Sequence, residues 1–394
     1  MYLSLLVYIL VCILSGYWFV LAVASIRQKR FIERPDYGPR HMFAVVIPAH
    51  NEEDVIEGTV LQLMHQNYPR DMYNIFVVAD YCTDQTASNA KKAGAIVFER
   101  DTGLRTGKGI ALSWGFAKIL DDKHYDAVVV FDADTKVDSN FLRIMDGRIA
   151  AGDRVIQGQH VIRNPNSGWF PGLTWAMFLI DNRFQNQGRA NLGWSAKHMG
   201  DSICFHADVV QETEWSDGLA DDYQLRQKFL LSGIKIAYEP EAIGRGEAPL
   251  SWSQAWAQRT RWLRGVYDAN RQFARKLMVK GIKTRNMAVL DGALQSYVPS
   301  YSVLTVVSMA VLVLHWIGYK LGLISSQPMI VAWAVLLGLL IIYPYFGLVL
   351  EKAPLKAYLF ISTGPLFILW RIWLALVSRF GGKKITWIRT MHKG

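Results

Sequence analysis

The chain has 394 residues, 51% of them hydrophobic, with 43 Lys and Arg against 33 Asp and Glu and a formal net charge of +10. That hydrophobic share exceeds the range of soluble domains, so part of the chain belongs in lipid. The basic excess does not call for nucleic acid, because much of it stands beside the hydrophobic segments, where membrane topology and anionic lipid account for it. Cys12, Cys82 and Cys204 are odd in number and lack metal-ligand spacing, which suits a reduced compartment rather than a disulfide framework.

Residues 1–26 carry no charge and are followed by Arg27, Lys29, Arg30 and Arg34. The run is long enough to cross a hydrocarbon core of about 30 Å, and its basic flank places the following residues in the cytosol. A cleaved secretory signal has the opposite order, basic before apolar. The expectation is an N-terminal transmembrane helix with its amino end outside.

From residue 40 to about 250 the pattern changes to short β-rich runs at 43–47, 75–79, 96–98 and 127–131, alternating with amphipathic stretches. That is an α/β nucleotide-binding layout, in which ligands sit off the carboxyl ends of the strands. After the first run stand His50, Asn51 and Glu52. After the second come Asp80, Thr83 and Asp84, and after the fourth Asp132 and Asp134. Helix capping is the plain alternative for Asn51, Thr83 and Asp84 singly; three polar clusters at three strand ends point to a site.

Asp132 and Asp134 lie two apart in extended backbone, so both carboxylates point to one side. Two hard oxygen donors suit Mg²⁺ or Mn²⁺ bridging a diphosphate. Residues 103–109, Gly-Leu-Arg-Thr-Gly-Lys-Gly, depart from a Walker A loop, which needs four residues between its glycines and Ser or Thr after Lys. A nucleotide triphosphatase is therefore disfavoured, while Arg105 and Lys108 remain available to a phosphate. Asp221 and Asp222 open a helix-like stretch that stops at Gly233. The simple reading is acidic charge on a helix dipole; the functional one makes one acid a general base for an acceptor hydroxyl.

Residues 251–267 are rich in Trp. At helical spacing Gln258, Arg261 and Trp262 share a face on which amide, guanidinium and indole can grip a diphosphate and stack on a sugar. An amphipathic interfacial helix is a compatible reading, and 251–290 is expected as an interfacial helical region. Two uncharged stretches, 292–319 and 321–350, are expected to span. For 357–378, interrupted by Pro365 and Arg371, two placements fit: along the cytosolic interface, or across the membrane with the basic tail 381–394 outside.

Taken together these residues resemble the family 2 glycosyltransferases of the cellulose-synthase and hyaluronan-synthase type. Their signature is an Asp, an Asp-x-Asp, a further Asp and Gln-(Gln/Arg)-x-Arg-Trp. Here Asp80, Asp132 with Asp134, Asp222, and 258–262 stand in that order. The resemblance implies an α/β catalytic domain of the GT-A, Rossmann-like type, with transmembrane helices at both ends. It places His50, Asn51, Glu52 and Asp80 around the nucleotide and Asp132 and Asp134 on Mg²⁺ or Mn²⁺. Lys108, Gln258, Arg259 and Arg261 would contact the diphosphate, Asp222 would be the base of an inverting transfer, and Trp262 and Asp221 would face the acceptor. The usual Glu-Asp pair is Asp221-Asp222 here.

A cytosolic domain of a multi-pass cell (inner) membrane protein follows from the same resemblance, because nucleotide-sugars are made in the cytosol. The implied donor is a UDP-sugar. The implied acceptor is a growing polysaccharide exported across the membrane, with single transfer to a membrane lipid as the alternative. A non-catalytic homologue is disfavoured because all the acids stand, and a nucleotide-driven transporter because neither Walker motif is present.

Overall fold

The computed structural model describes residues 2–27, 38–104, 107–121, 124–213, 215, 220–250, 252–323, 327–370 and 373. After α1 (Tyr2–Ala24) come β1 (Phe43–Ala49), α2 (Ile56–Leu63), β2 (Tyr73–Asp80), α3 (Thr86–Lys92), β3 (Ile96–Arg100), α4 (Lys108–Ile119) and β4 (Ala127–Val130). The chain continues through β5 (Lys136–Val137), α5 (Phe141–Ala150), β6 (Val155–Ile162), α6 (Trp169–Asp181), a π-helical turn (Asn182–Gln187) and α7 (Gly188–Asn191). There follow β7 (Ile203–His206), α8 (Ala207–Glu212), α9 (Asp221–Ser232) and β8 (Ile236–Gly246). Five helices complete it: α10 (Trp252–Thr284), α11 (Met287–Tyr297), α12 (Tyr301–Lys320), α13 (Gln327–Leu350) and α14 (Leu355–Ser362).

The eight strands form one sheet in the order β3-β2-β1-β4-β7-β6-β8-β5. β3, β2, β1 and β4 are parallel, β7 runs antiparallel to both β4 and β6, β6 and β8 pair in parallel, and β5 closes the edge antiparallel to β8. The four strands expected from the sequence are β1 to β4. β1 and β4 are almost wholly apolar because both faces are covered. Val45, Ile47 and Phe131 pack on α2 and α5 through Ile56, Val60, Phe141 and Met145. Ala44, Val46 and Val130 pack on α4 and α9 through Leu112, Phe116, Leu225 and Phe229. The expected acidic helix is α9; it ends on Gly233 at φ 82°, a left-handed C-cap that costs glycine no steric strain.

Among the described residues three helices are long and apolar enough to cross a membrane: Ser4–Ala24, Tyr301–Lys320 and Gln327–Leu350. Here the structure departs from the expected run 292–319. Pro299 disfavours helical geometry at Val298, which lies at φ −74°, ψ 125°, and the apolar run breaks there. Its first residues belong to α11, which packs Ala288, Val289 and Ala293 against Leu230 of α9 and Phe273 and Leu277 of α10. The second span starts at Gln327 rather than 321. Residues 357–370 are not one helix either: α14 stops at Ser362, helix resumes at 364–370, and Phe367 packs against Phe170, Leu173 and Ala255. The rest of the 357–378 segment, Trp373 apart, and the tail lie outside the described residues.

α1 contacts α12 and α13 through Val11, Leu304, Trp333, Leu336 and Leu340, all buried, with Tyr8 edge-on to Trp333 at 5.2 Å. Its other end is held by polar groups from 183–191. Arg183 Nη2 donates to Ile26 O at 2.8 Å, and Asn191 Nδ2 donates to Ala24 O at 2.7 Å and Arg27 O at 2.6 Å. These satisfy carbonyls that a helix end leaves without partners. Gly188 allows the approach, since a Cβ there would stand 2.4 Å from Leu21 O.

Candidate active site

A cavity of about 660 Å³ opens along the carboxyl ends of β1, β2 and β4, a size typical of small-molecule sites. His50, Glu52, Asp80, Lys108, Asp132, Asp134, Asp221, Asp222, Gln258, Arg259, Arg261 and Trp262 all line it. Residues more than 200 positions apart thus share one space, as the order of motifs implied. Asn51 is the exception: at φ 56° its Oδ1 accepts from the Thr83 amide at 2.7 Å, and it ties the β1 loop to the β2 loop. Asp84 likewise serves backbone, accepting from Thr86 N at 3.0 Å ahead of α3. Arg105 lies outside the described residues.

On the β1–β2 side, His50 Nδ1 meets Asp80 O at 2.7 Å. Asp80 Oδ1 is paired with the buried Arg100, whose guanidinium also lies 5.5 Å from the Tyr81 ring. Arg100 was not anticipated, because nothing in its local sequence separates it from a solvated strand end.

Around the strand-end acids the charges interlock. Lys108, first residue of α4, donates to Asp132 Oδ1 and to Gly200 O. Burial works against its ammonium, but the Asp132 carboxylate outweighs that and raises its pKa. Asp134 Oδ2 accepts the Glu247 amide at 2.8 Å. The Asp132 amide donates to Asp201 Oδ1 at 2.9 Å, and Asp201 Oδ2 meets His160 Nδ1 at 2.6 Å and accepts from Ser202 Oγ at 3.0 Å. Burial alone would raise the Asp201 pKa; His160 reverses this and lowers it. Asp201 and His160, both lining the cavity, escaped the sequence reading. Their local sequence offers only an Asp after Gly200 and a His after Gln157-Gly158-Gln159.

Among the described residues no three His, Cys, Asp or Glu side chains converge as a preformed metal cage. The donor set fits a hard cation all the same. Asp132 and Asp134 offer carboxylate oxygens to one cavity, the Lys108 ammonium already stands as a cation against Asp132, and Mg²⁺ or Mn²⁺ commonly takes its remaining oxygens from phosphate and water.

In the same cavity, Asp221 and Asp222 head α9. The Asp222 amide donates to Asp221 Oδ1 at 3.0 Å, and the Tyr223 amide donates to Asp222 Oδ1 at 2.7 Å. Burial, and after it the neighbouring Asp221, push the Asp222 carboxyl up to about 6. A carboxylate of that basicity suits proton abstraction near neutral pH. Gln258, Arg261 and Trp262 reach the same space from α10. Arg259 differs from expectation in its surroundings: its guanidinium lies 5.9 Å from Phe170, 5.4 Å from Trp262 and 5.6 Å from Phe367, among aromatic rings. Thr174 and Phe178 of α6 complete this wall.

Residues 39–265, more than half of the chain, match the family described as glycosyltransferase like family 2, and the chain belongs to that family. It is 25% identical over 237 residues to a beta-monoglucosyldiacylglycerol synthase of Synechocystis, covering 58% of this chain and 49% of that protein. It is 26% identical over 274 residues to a poly-beta-1,6-N-acetyl-D-glucosamine synthase of Staphylococcus aureus, covering 65% and 63%. The chain thus spans roughly half to just under two-thirds of these relatives. Among solved structures it is similar in fold to a mannosyltransferase of Pyrobaculum calidifontis in complex with GDP-mannose and Mn²⁺. The TM-score is 0.54 at 16% identity, over 95% of this chain and 99% of that one. The mixed sheet with its strand-end acids is accordingly a GT-A-type domain.

Proposed function

We propose that this protein is an inverting, membrane-bound glycosyltransferase that moves a sugar from a nucleotide-sugar, a UDP-sugar by the family resemblance, to an acceptor hydroxyl. The observation that carries this reading is one cavity that brings together cations, metal-type acids and a basic carboxylate. His50, Glu52 and Asp80 hold the nucleoside end. Lys108, Gln258 and Arg261 receive the diphosphate, whose negative charge grows as the sugar leaves. Asp134 with Asp132 would hold Mg²⁺ or Mn²⁺, which when bound supplies positive charge to the same diphosphate. Asp222 takes the proton of the acceptor hydroxyl as that oxygen attacks the anomeric carbon opposite the departing diphosphate, which inverts the centre. Trp262 stacks on the acceptor, with Asp221 beside it.

The basic residues after α1 support a cytosolic position for this domain in a cell membrane. For the acceptor, the relatives offer both a polysaccharide synthase and a glycolipid synthase. A packing observation favours a membrane lipid over an exported polymer. The α1–α12–α13 cluster is packed with Val11, Leu304, Trp333, Leu336 and Leu340, an apolar contact between the three helices. In addition α6, whose Thr174 and Phe178 line the cavity, packs on α13 and α14 through Ile180 and Ala176, so an acceptor in the membrane plane has a short path to Asp222.

The test is nucleotide release by the detergent-purified protein with Mg²⁺ or Mn²⁺ across a panel of UDP-sugars and lipids, followed by sizing of radiolabelled product. A short, organic-extractable product supports lipid transfer, and a long water-soluble chain restores the polymer reading. No turnover with any donor sinks the proposal.

A further inference from the structure

Beyond the cavity wall lies a buried charge cluster that none of these roles uses. Arg189, Arg226 and Asp291 expose 0%, 1% and 1% of their surface. Asp291 Oδ2 accepts from Arg189 Nε at 2.8 Å and Arg226 Nη2 at 3.1 Å, and Asp291 Oδ1 accepts from the Tyr17 hydroxyl at 2.8 Å. Arg189 Nη2 donates in turn to the Tyr17 oxygen at 2.6 Å. Arg226 donates further to Ala196 O at 2.8 Å, Ser195 O at 2.9 Å and Gln295 Oε1 at 2.6 Å. Four helices, α1, α7, α9 and α11, therefore meet at one carboxylate.

Two guanidiniums buried against one carboxylate are costly to assemble, and apolar packing of equal volume would commonly serve stability as well or better. What such a cluster supplies is a defined arrangement, and its place on α9 says of what. Arg226 is four residues after Asp222, one turn along the same helix face. Tyr223, adjacent to Asp222, donates its hydroxyl to Asn270 Oδ1 of α10 at 2.8 Å. The first turns of α9 are thus pinned by α10 and α11 and, through Asp291, by α1.

We propose that Tyr17, Asp291 and Arg226 form a positioning relay through which α1 sets the rotation and axial position of α9, and so the place of the Asp222 carboxylate against the acceptor. On this view α1 is a working part of the catalytic centre as well as an anchor. None of the three touches substrate; they act through α9. The inference rests on Asp222 being the base. A displacement of about 1 Å at a reacting group can cost roughly 10²-fold in rate, so a modest shift of α9 is readable.

The experiment takes the full chain in detergent with Tyr17→Phe, Arg226→Lys and Asp291→Asn. It measures transfer kcat per nucleotide-binding site, donor KM and the thermal midpoint. The expected result is kcat reduced about tenfold or more in Arg226→Lys and Asp291→Asn and severalfold in Tyr17→Phe, with donor KM within about twofold of the parent. Lower thermal midpoints with kcat per binding site unchanged would overturn the relay and leave a purely structural cluster. Tyr17→Phe removes one hydroxyl and no charge, so it decides the matter if the other two do not fold. Asp222→Asn runs alongside. Turnover retained there refutes the base assignment itself, whereas turnover lost there with Tyr17→Phe like the parent refutes only the relay.

Discussion

β1 to β4 and β5 to β8 border the same cavity but hold their chemical groups in different ways. In the first half each group stands just past a parallel strand: His50 after β1, Asp80 at the end of β2, Asp132 and Asp134 after β4. Those strands are buried on both faces, so the sheet sets where the groups stand, and Arg100, Lys108, Asp201 and the Glu247 amide then hold them. In the second half Asp222 heads α9, while Gln258, Arg261 and Trp262 ride on α10. Both helices are held by α11, and through it by α1. On the proposed roles, variants at Asp80, Asp134 and Lys108 should change nucleotide binding, and so should those at Gln258 and Arg261, the diphosphate contacts of α10; variants at Asp222 and Trp262 should change transfer with nucleotide binding intact.

The largest effect should come from the second half. Asp222→Asn removes the proposed base and should lower transfer by about 10² to 10⁴, while nucleotide affinity measured by calorimetry stays within about twofold; an equal loss of both would merge the two halves. In the first half, Asp134→Asn should weaken nucleotide binding on the order of 10²-fold with Mn²⁺ present and little without it. Losing a direct ligand should cost at least the ten- to hundredfold typical of losing its outer support. Lys108→Met should cost about tenfold or somewhat more in nucleotide affinity, as expected for a lost charge-assisted hydrogen bond.

The pH dependence sharpens the contrast further. Asp222 is raised to about 6 and works as the deprotonated base, so transfer kcat/KM should fall tenfold per pH unit below about 6 and level off above it. Nucleotide binding followed over the same range should show no inflection there. Among the mutations Trp262→Ala should have the smallest effect, a severalfold rise in acceptor KM with donor hydrolysis unchanged. Parallel loss of both activities would move Trp262 to a structural role.

The first half was also the half legible in the sequence. Its strands are continuous apolar runs followed directly by Asp and His, and one βα unit explains each. The acceptor side was legible only through Asp222 and the 258–262 motif. β6, β7 and β8 pair with partners far away in sequence, and β6 slips register between Gly158 and Gln159, so no local periodicity announces them. Asp201 and His160 come together through that pairing alone. The apolar run 292–319 yields the span Tyr301–Lys320 and, before it, α11: absence of charge does not mark that division, whereas Pro299 does, and the residues ahead of it pack on α9 and α10.

The polar docking of α1 bears on how the protein is made. Tyr17 leaves the ribosome 274 residues ahead of Asp291, and Ile26 leaves 157 residues ahead of Arg183. During that interval the helix end has open carbonyls and an unmatched hydroxyl. Only the later arrival of 183–191 and 291 closes them, so on the proposed membrane placement the catalytic centre would complete its assembly at the bilayer, around a helix inserted first.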